Sequence, residues 1–154
     1  MPIFARVADI VMYQIKVGSW AVLGADAAAV RTEVFVIEQC IPIEMEWDEL
    51  DAEALHAVAY NLTGQPVATG RLLCHGPQTG RVGRMAVKQV LRGNHLGLRI
   101  LTALLDAARQ RGDLQIVLHA QRSAEGFYAQ AGFSPRGEPF DEVAIPHIEM
   151  LKRL

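Results

Sequence analysis

Residues Leu96, Ile100, Leu101, Leu104, Leu105 and Ala108 recur at steps of three and four, which is the spacing of one face of an α-helix. No other stretch constrains the fold as tightly, because a stripe this continuous has to lie against an apolar layer. Gly112 supplies the stop. Just before the stripe, 81–88 reads as a strand, and the turn Arg92-Gly93-Asn94-His95-Leu96-Gly97 places its glycines where strand gives way to helix. Such a junction directs backbone N–H groups and the positive end of a helix dipole at one point, which suits a pyrophosphate. Gly93 and Gly97 are also explained as shaping a tight entry to the helix. The turn is not a Walker loop, which ends in Gly-Lys-Ser/Thr, and it lacks the three glycines of the dinucleotide fingerprint.

Around this junction the pattern predicts one sheet-and-helix unit. Alternation over 12–17 reads as a strand, and Ala28, Arg31, Val34 and Phe35 give 24–37 helical spacing. The acidic stretch 38–51 contains Pro42 and no clear period, so it is expected to be an irregular surface segment. Strands at 56–61 and 66–74, joined by Thr63-Gly64-Gln65, form an antiparallel hairpin. The apolar run 114–120 is a buried strand. Ser123 is placed to cap a helix through Ala131 that stops at Gly132, and strands at 133–137 and 144–151 complete the chain. The last of these is expected to be exposed and able to support a homodimer. Without a repeat or a low-complexity linker, residues 1–154 form a single domain.

Composition narrows the partners. A 51% hydrophobic and 21% charged chain carries too much apolar surface to be disordered. A net charge of −2, from 15 basic and 17 acidic residues, argues against a dedicated nucleic-acid binder. No apolar run approaches the roughly 20 residues that cross a bilayer. The start carries Arg6 and Asp9 and lacks the order of a signal peptide, so no membrane contact and a cytoplasmic location are expected. Cys40 and Cys74 read as free core thiols. The five histidines and two cysteines have no ligand spacing, so no metal is expected. A GxSxG elbow is also absent, which disfavours an acyl-enzyme.

Two segments in order carry a resemblance. Arg92-Gly93-Asn94-His95-Leu96-Gly97 resembles the Arg/Gln-x-x-Gly-x-Gly/Ala signature of the GNAT N-acetyltransferases, with His95 where a glycine is usual. The run from Gln121 to Phe133, through Ala124, Tyr128 and Gly132, is similar to the family's Asn-x-x-Ala-x-x-x-Tyr-x-x-x-Gly-Phe, with Gln121 replacing Asn. Arg31-Thr32-Glu33-Val34-Phe35-Val36-Ile37-Glu38-Gln39 and the end of the chain extend the likeness to the ElaA-like branch, so that it covers essentially the whole sequence.

The resemblance implies a mixed α/β (α+β) fold: a mostly antiparallel central sheet, splayed after its fourth strand and flanked by about four helices. It implies acetyl-CoA as co-substrate and a primary amine, of a small molecule or a peptide, as acceptor. Backbone groups of Met85, Ala86 and Val87 are expected to pair with the pantetheine arm. Arg92, Gly93, Asn94, His95, Leu96 and Gly97 are expected to hold the pyrophosphate, with the His95 imidazole either adding a phosphate contact or pointing outward. Tyr128 matches the tyrosine that protonates the departing thiolate, a role a neutral phenol with a pKa near 10 can fill. An ammonium has no lone pair, so attack on the thioester also needs a base. His119, near the end of its strand, is one candidate. Glu46, with Glu44 and Asp48 on the segment that the family folds over the acceptor, is another, and this acidic cluster points to a cationic amine. A non-catalytic acyl-CoA-binding module is the alternative reading, and a nucleotide-binding domain built on the same turn is a third.

Overall fold

A computed structural model describes residues 12–154; Arg6 and Asp9, read above as evidence against a leader, lie outside them. In chain order the elements are β1 (Gln14–Ser19), α1 (Trp20–Arg31), a π-helical turn (Thr32–Glu38), α2 (Ile43–Glu46), a 3-10 turn (Glu49–Glu53), β2 (Leu55–Tyr60), β3 (Pro66–Gly76) and β4 (Thr79–Val87). A short 3-10 turn (Gln89–Leu91) leads to α3 (Leu96–Gln110), β5 (Gln115–Gln121), a further 3-10 turn (Arg122–Ala124), α4 (Glu125–Gln130), β6 (Ser134–Glu142) and β7 (Ile145–Arg153).

The seven strands form one sheet in the order β1-β2-β3-β4-β5-β7-β6. Every pairing is antiparallel except β4 with β5. The mixed, mostly antiparallel sheet with four α-helices is the expected architecture. Its two faces are filled by the two long helices. The stripe of α3 buries Leu96, Ile100, Leu101, Leu104 and Ala108 against Ala57, Leu72, Val82, Ile116 and Met150 of five strands. On the other face, Leu23 and Ala27 of α1 meet Val58 and Tyr60. Strand β2 is thus covered on both sides, with alternate residues serving opposite layers. The hairpin turn between β2 and β3 forms where predicted. There Asn61 Oδ1 accepts from the Thr63 and Gln65 amides, and Gly64 takes φ +79°.

Four expectations change. The strand expected to be an exposed edge is β7, which lies between β5 and β6. With His147, Ile148 and Met150 buried, it offers no free edge for a second copy. Segment 38–51 is not an irregular surface strip, because α2 and a 3-10 turn form within it and turn Glu46 and Asp51 inward. Ser123 does not cap α4: it sits inside the 3-10 turn Arg122–Ala124, and Ala124 takes the cap position without a side-chain bond. Cys40 and Cys74 are free, as expected, but both are exposed rather than core. Among the described residues no helix is long and apolar enough to cross a membrane.

Candidate active site

The site begins with a defect in β4. Against β3, Ala86 pairs with Thr69 and Gly83 with Arg71, so β4 spends one residue more than its partner over this step. The surplus is a bulge at Arg84, a non-glycine residue held at φ +51°. Strands β4 and β5 pair from Thr79 and Gln115 to Val82 and Leu118 and no further. Beyond Val82 they diverge around a cavity of about 960 Å3, within the range of small-molecule and cofactor sites. Gly70 lies opposite the bulge, where a Cβ would come within 2.6 Å of Met85 Sδ and 2.9 Å of Leu104 Cδ1.

One end of the cavity is the glycine turn. Gly93 has φ +90° and His95 φ +62°, and His95 caps a 15-residue helix with no acidic residue in its first turn. Of the residues selected from sequence for the cofactor, Met85, Ala86, Val87, Arg92, Gly93, His95, Leu96 and Gly97 line the cavity and Asn94 does not. The His95 residue is exposed. Arg92 does not simply face the cavity. Its Nε donates to the Val87 carbonyl at 3.0 Å, and its two Nη atoms grip Glu38 at 2.5 and 2.6 Å. That hydrogen-bonded pairing lowers the Glu38 carboxyl below the ordinary carboxylate range.

Tyr128 enters from α4, packed edge-on against Phe127 and Phe133. It is 8% exposed and lines the cavity, and burial pushes its phenol above its ordinary value. The hydroxyl finds no hydrogen-bond partner among the described residues. It is therefore a neutral donor free for a ligand, not a core tyrosine tied to a backbone carbonyl.

The acidic segment forms a third wall, and its charge is cancelled there. Arg31, 1% exposed, donates from Nε to Glu46 Oε1 at 2.6 Å and from Nη1 and Nη2 to Asp51 at 2.8 and 3.0 Å. Arg71 bridges Asp51 at 3.0 Å and Asp48 at 2.7 and 2.8 Å. Arg84, from the bulge itself, reaches the Glu46 carbonyl and Asp48 Oδ2 at 3.1 Å. Three guanidinium groups thus face three carboxylates. Burial alone would raise the Asp48 and Asp51 carboxyls, but the arginines outweigh it and hold both below the ordinary range. Glu46 is 3% exposed, with Oε2 buried and unpartnered, so it belongs to this lattice and not to an open anionic rim.

The fourth wall holds His119, the first residue of β5 beyond its pairing with β4. Its ring contacts Arg81 and Glu142, neither of which was singled out from the sequence. Glu142 was missed because β6 runs five residues past the predicted strand end at 137. An arginine lattice built across gaps of 15 to 38 residues leaves no local signal either.

Comparison with known proteins agrees with this geometry. A model of the acetyltransferase (GNAT) domain family matches residues 22–154. YjcF of Bacillus subtilis, an uncharacterized N-acetyltransferase, is 38% identical over 128 residues, spanning 82% of this chain and 90% of that protein. Escherichia coli ElaA superposes with a TM-score of 0.82 at 25% identity, covering 92% of this chain and 99% of that one. An acyl-CoA N-acyltransferase from Pseudomonas aeruginosa gives 0.79 at 32% identity, covering 91% and 99%. The chain therefore belongs to the GNAT acetyltransferase family, with ElaA among its structural neighbours.

Proposed function

We propose that the protein transfers an acetyl group from acetyl-CoA directly to the primary amine of a small molecule or peptide, with Tyr128 as the general acid. The observation that carries this reading is the Tyr128 hydroxyl, which lines the cavity where β4 and β5 part and has no acceptor among the described residues. The residues present fit a CoA thioester. Strand β4 past Val82 pairs with no strand on its β5 side, and apart from the Val87 carbonyl, which accepts from Arg92, its backbone there suits the amides of a pantetheine arm. The left-handed turn at Gly93 and His95 precedes the amides of the first turn of α3, which suit a pyrophosphate. In this reading a backbone N–H near Val87 meets the oxyanion.

In the reaction the amine nitrogen bonds to the acetyl carbon, the carbon–sulfur bond breaks, and the thiolate takes the Tyr128 proton. Burial keeps the phenol protonated until the thiolate forms and disfavours a lasting tyrosinate, so Tyr128 recovers its proton from the acceptor amine as the amide forms. Glu46 and His119 are the two base candidates. Oε1 of Glu46 is occupied by Arg31 and Oε2 is buried, whereas the His119 ring is about a quarter exposed on the cavity wall, so the base role falls to His119.

Replacing Tyr128 by Phe tests the assignment. Turnover, followed by thiol release across an amine panel, should fall about 100-fold or more while CoA affinity by calorimetry stays within about threefold. Unchanged turnover would remove the acid role. CoA binding without turnover for any amine would favour an acyl-CoA-binding module, and displacement of CoA by ATP at comparable affinity a nucleotide site.

A further inference from the structure

His119 stands at the meeting point of four strands. Its Nδ1 lies 3.1 Å from Arg81 Nη2 and 3.0 Å from Glu142 Oε1, and its Nε2 lies 3.8 Å from Glu149 Oε1. Phe140 packs edge-on against the ring at 4.9 Å between centroids. Behind these, the other Glu142 oxygen is 3.7 Å from His147 Nε2, and Glu149 Oε2 accepts from Arg136 at 2.8 Å. Arg81 comes from β4, Glu142 and Arg136 from β6, and Glu149 and His147 from β7.

One ring nitrogen cannot both accept from a guanidinium and donate to a carboxylate. With Nδ1 bare, Arg81 is satisfied and the proton sits on Nε2, which then cannot act as a base. With Nδ1 protonated, Glu142 is satisfied and Nε2 keeps a lone pair beside Glu149. The Arg136 hydrogen bond, aided by the nearby imidazoles, holds the Glu149 carboxyl below its ordinary value, so Nε2 faces an anion. A doubly protonated ring is then paired at both nitrogens.

The backbone that delivers Glu142 is strained. Two residues, Val143 and Ala144, turn β6 into β7, and both have positive φ, +47° and +62°. A β-branched residue in this region is an outlier, and such strain persists where the surroundings over-determine it. Val143 and Ile145 supply that constraint by packing against the cluster of Val30, Val34 and Phe35.

We propose that Glu142 is a positioning residue that keeps the His119 proton on Nδ1 and leaves Nε2 to take a proton from the acceptor ammonium. This rests on the acetyltransferase reading above. A primary ammonium loses two protons on becoming an amide: one ends on the CoA sulfur through Tyr128, and the other leaves through His119 Nε2 to solvent. Glu149 pairs with the imidazolium in the interval.

Two variants of the full chain separate the parts of the argument. The side chain of Glu142 is 41% exposed, so neither variant threatens the core. Glu142→Gln keeps a hydrogen-bond acceptor for Nδ1 and removes the charge, while Glu142→Ala removes both. Long-range 1H–15N correlation spectra report which His119 nitrogen is protonated and require no acceptor. The proton is expected on Nδ1 in the wild type and Glu142→Gln and on Nε2 in Glu142→Ala. In thiol release from acetyl-CoA with spermidine or a lysine-bearing peptide as probe amine, Glu142→Ala should lose roughly 10- to 100-fold in kcat. Glu142→Gln should keep kcat within about threefold of the wild type, because Nδ1 keeps its acceptor. The same tautomer in Glu142→Ala as in the wild type would overturn the proposal. Turnover with no amine, alongside the expected tautomer change, would overturn the acetyltransferase reading and leave the coupling of Glu142 to His119 standing.

Discussion

Replacing Asp51 by Asn probes the buried lattice that walls the cavity. Asp51 is 3% exposed and accepts three hydrogen bonds from Arg31 and Arg71 at 2.8 to 3.0 Å. Asparagine keeps the shape, but it turns an NH2 group toward guanidinium donors and leaves three arginines against two carboxylates. Removing one partner of a buried ion pair costs about 3–5 kcal/mol, because the charge left behind stays out of water. Glu46 and Asp48 still hold Arg31 and Arg71, which places the loss at the lower end, about 3 kcal/mol. In a chain of this length each kcal/mol moves the thermal midpoint by about 2–4 °C, so the midpoint should fall by about 6–12 °C. The dependence on pH follows from the depressed Asp51 carboxyl. Its contribution is complete above the unfolded value, near 3.9, and is lost as pH falls through the lower folded one. The part of the gap that comes from the Asp51 carboxyl itself is therefore flat from about pH 5 to 8 and closes in stronger acid. Burial holds His56 neutral, which weakens the fold as pH drops below about 6.5; the Asp51 charge partly offsets this in the wild type alone, so the gap widens somewhat below that pH before it closes in acid. Thermal unfolding followed by circular dichroism from pH 8 to pH 2 makes the measurement. A fall under about 2 °C at pH 7, or a gap that does not narrow as the pH falls below about 4, would refute the reasoning.

Two further substitutions address the backbone around the cavity. Gly70→Ala puts a methyl within 2.6 Å of Met85 Sδ, and the flexible methionine yields more readily than Leu104 or Ile100; the expected loss in chemical denaturation is about 1–3 kcal/mol, and no loss would contradict the packing described opposite the bulge. Ala144→Gly relieves a left-handed residue at φ +62° in the β6–β7 turn and should stabilise the fold by about 1 kcal/mol, whereas a lower thermal midpoint would argue that the turn carries no strain.

What the sequence disclosed was what local periodicity can encode. The stripe from Leu96 to Ala108, the Thr63-Gly64-Gln65 hairpin and the run 114–120 each satisfy a requirement within a few residues, and each forms where expected. The bulge at Arg84 had no such mark, since arginine has no preference for positive φ and is held there by Glu46 and Asp48 from almost 40 positions away. The burial of Glu46 and Asp51 likewise depends on arginines from three separate elements, so a run of acidic residues looked like a surface. The return of the last two strands in the order β7-β6 explains why the final strand is interior, and nothing in its own composition distinguishes it from an edge. For the site, residue types and order were readable at the glycine turn and at Tyr128. The partners that set the state of His119 were not.

Between Gly83 and Val87 the fourth strand has a neighbour on one side alone, in the middle of a seven-stranded sheet. An acyl-CoA that completes this edge binds the folded chain and not the unfolded one. At a concentration of 100 times its Kd, such a ligand adds about 2.7 kcal/mol to the free energy of unfolding. The fraction of molecules open to proteolysis would drop about 100-fold with it. An acyl-CoA bound along this edge would thus protect the folded chain from proteolysis in proportion to its concentration.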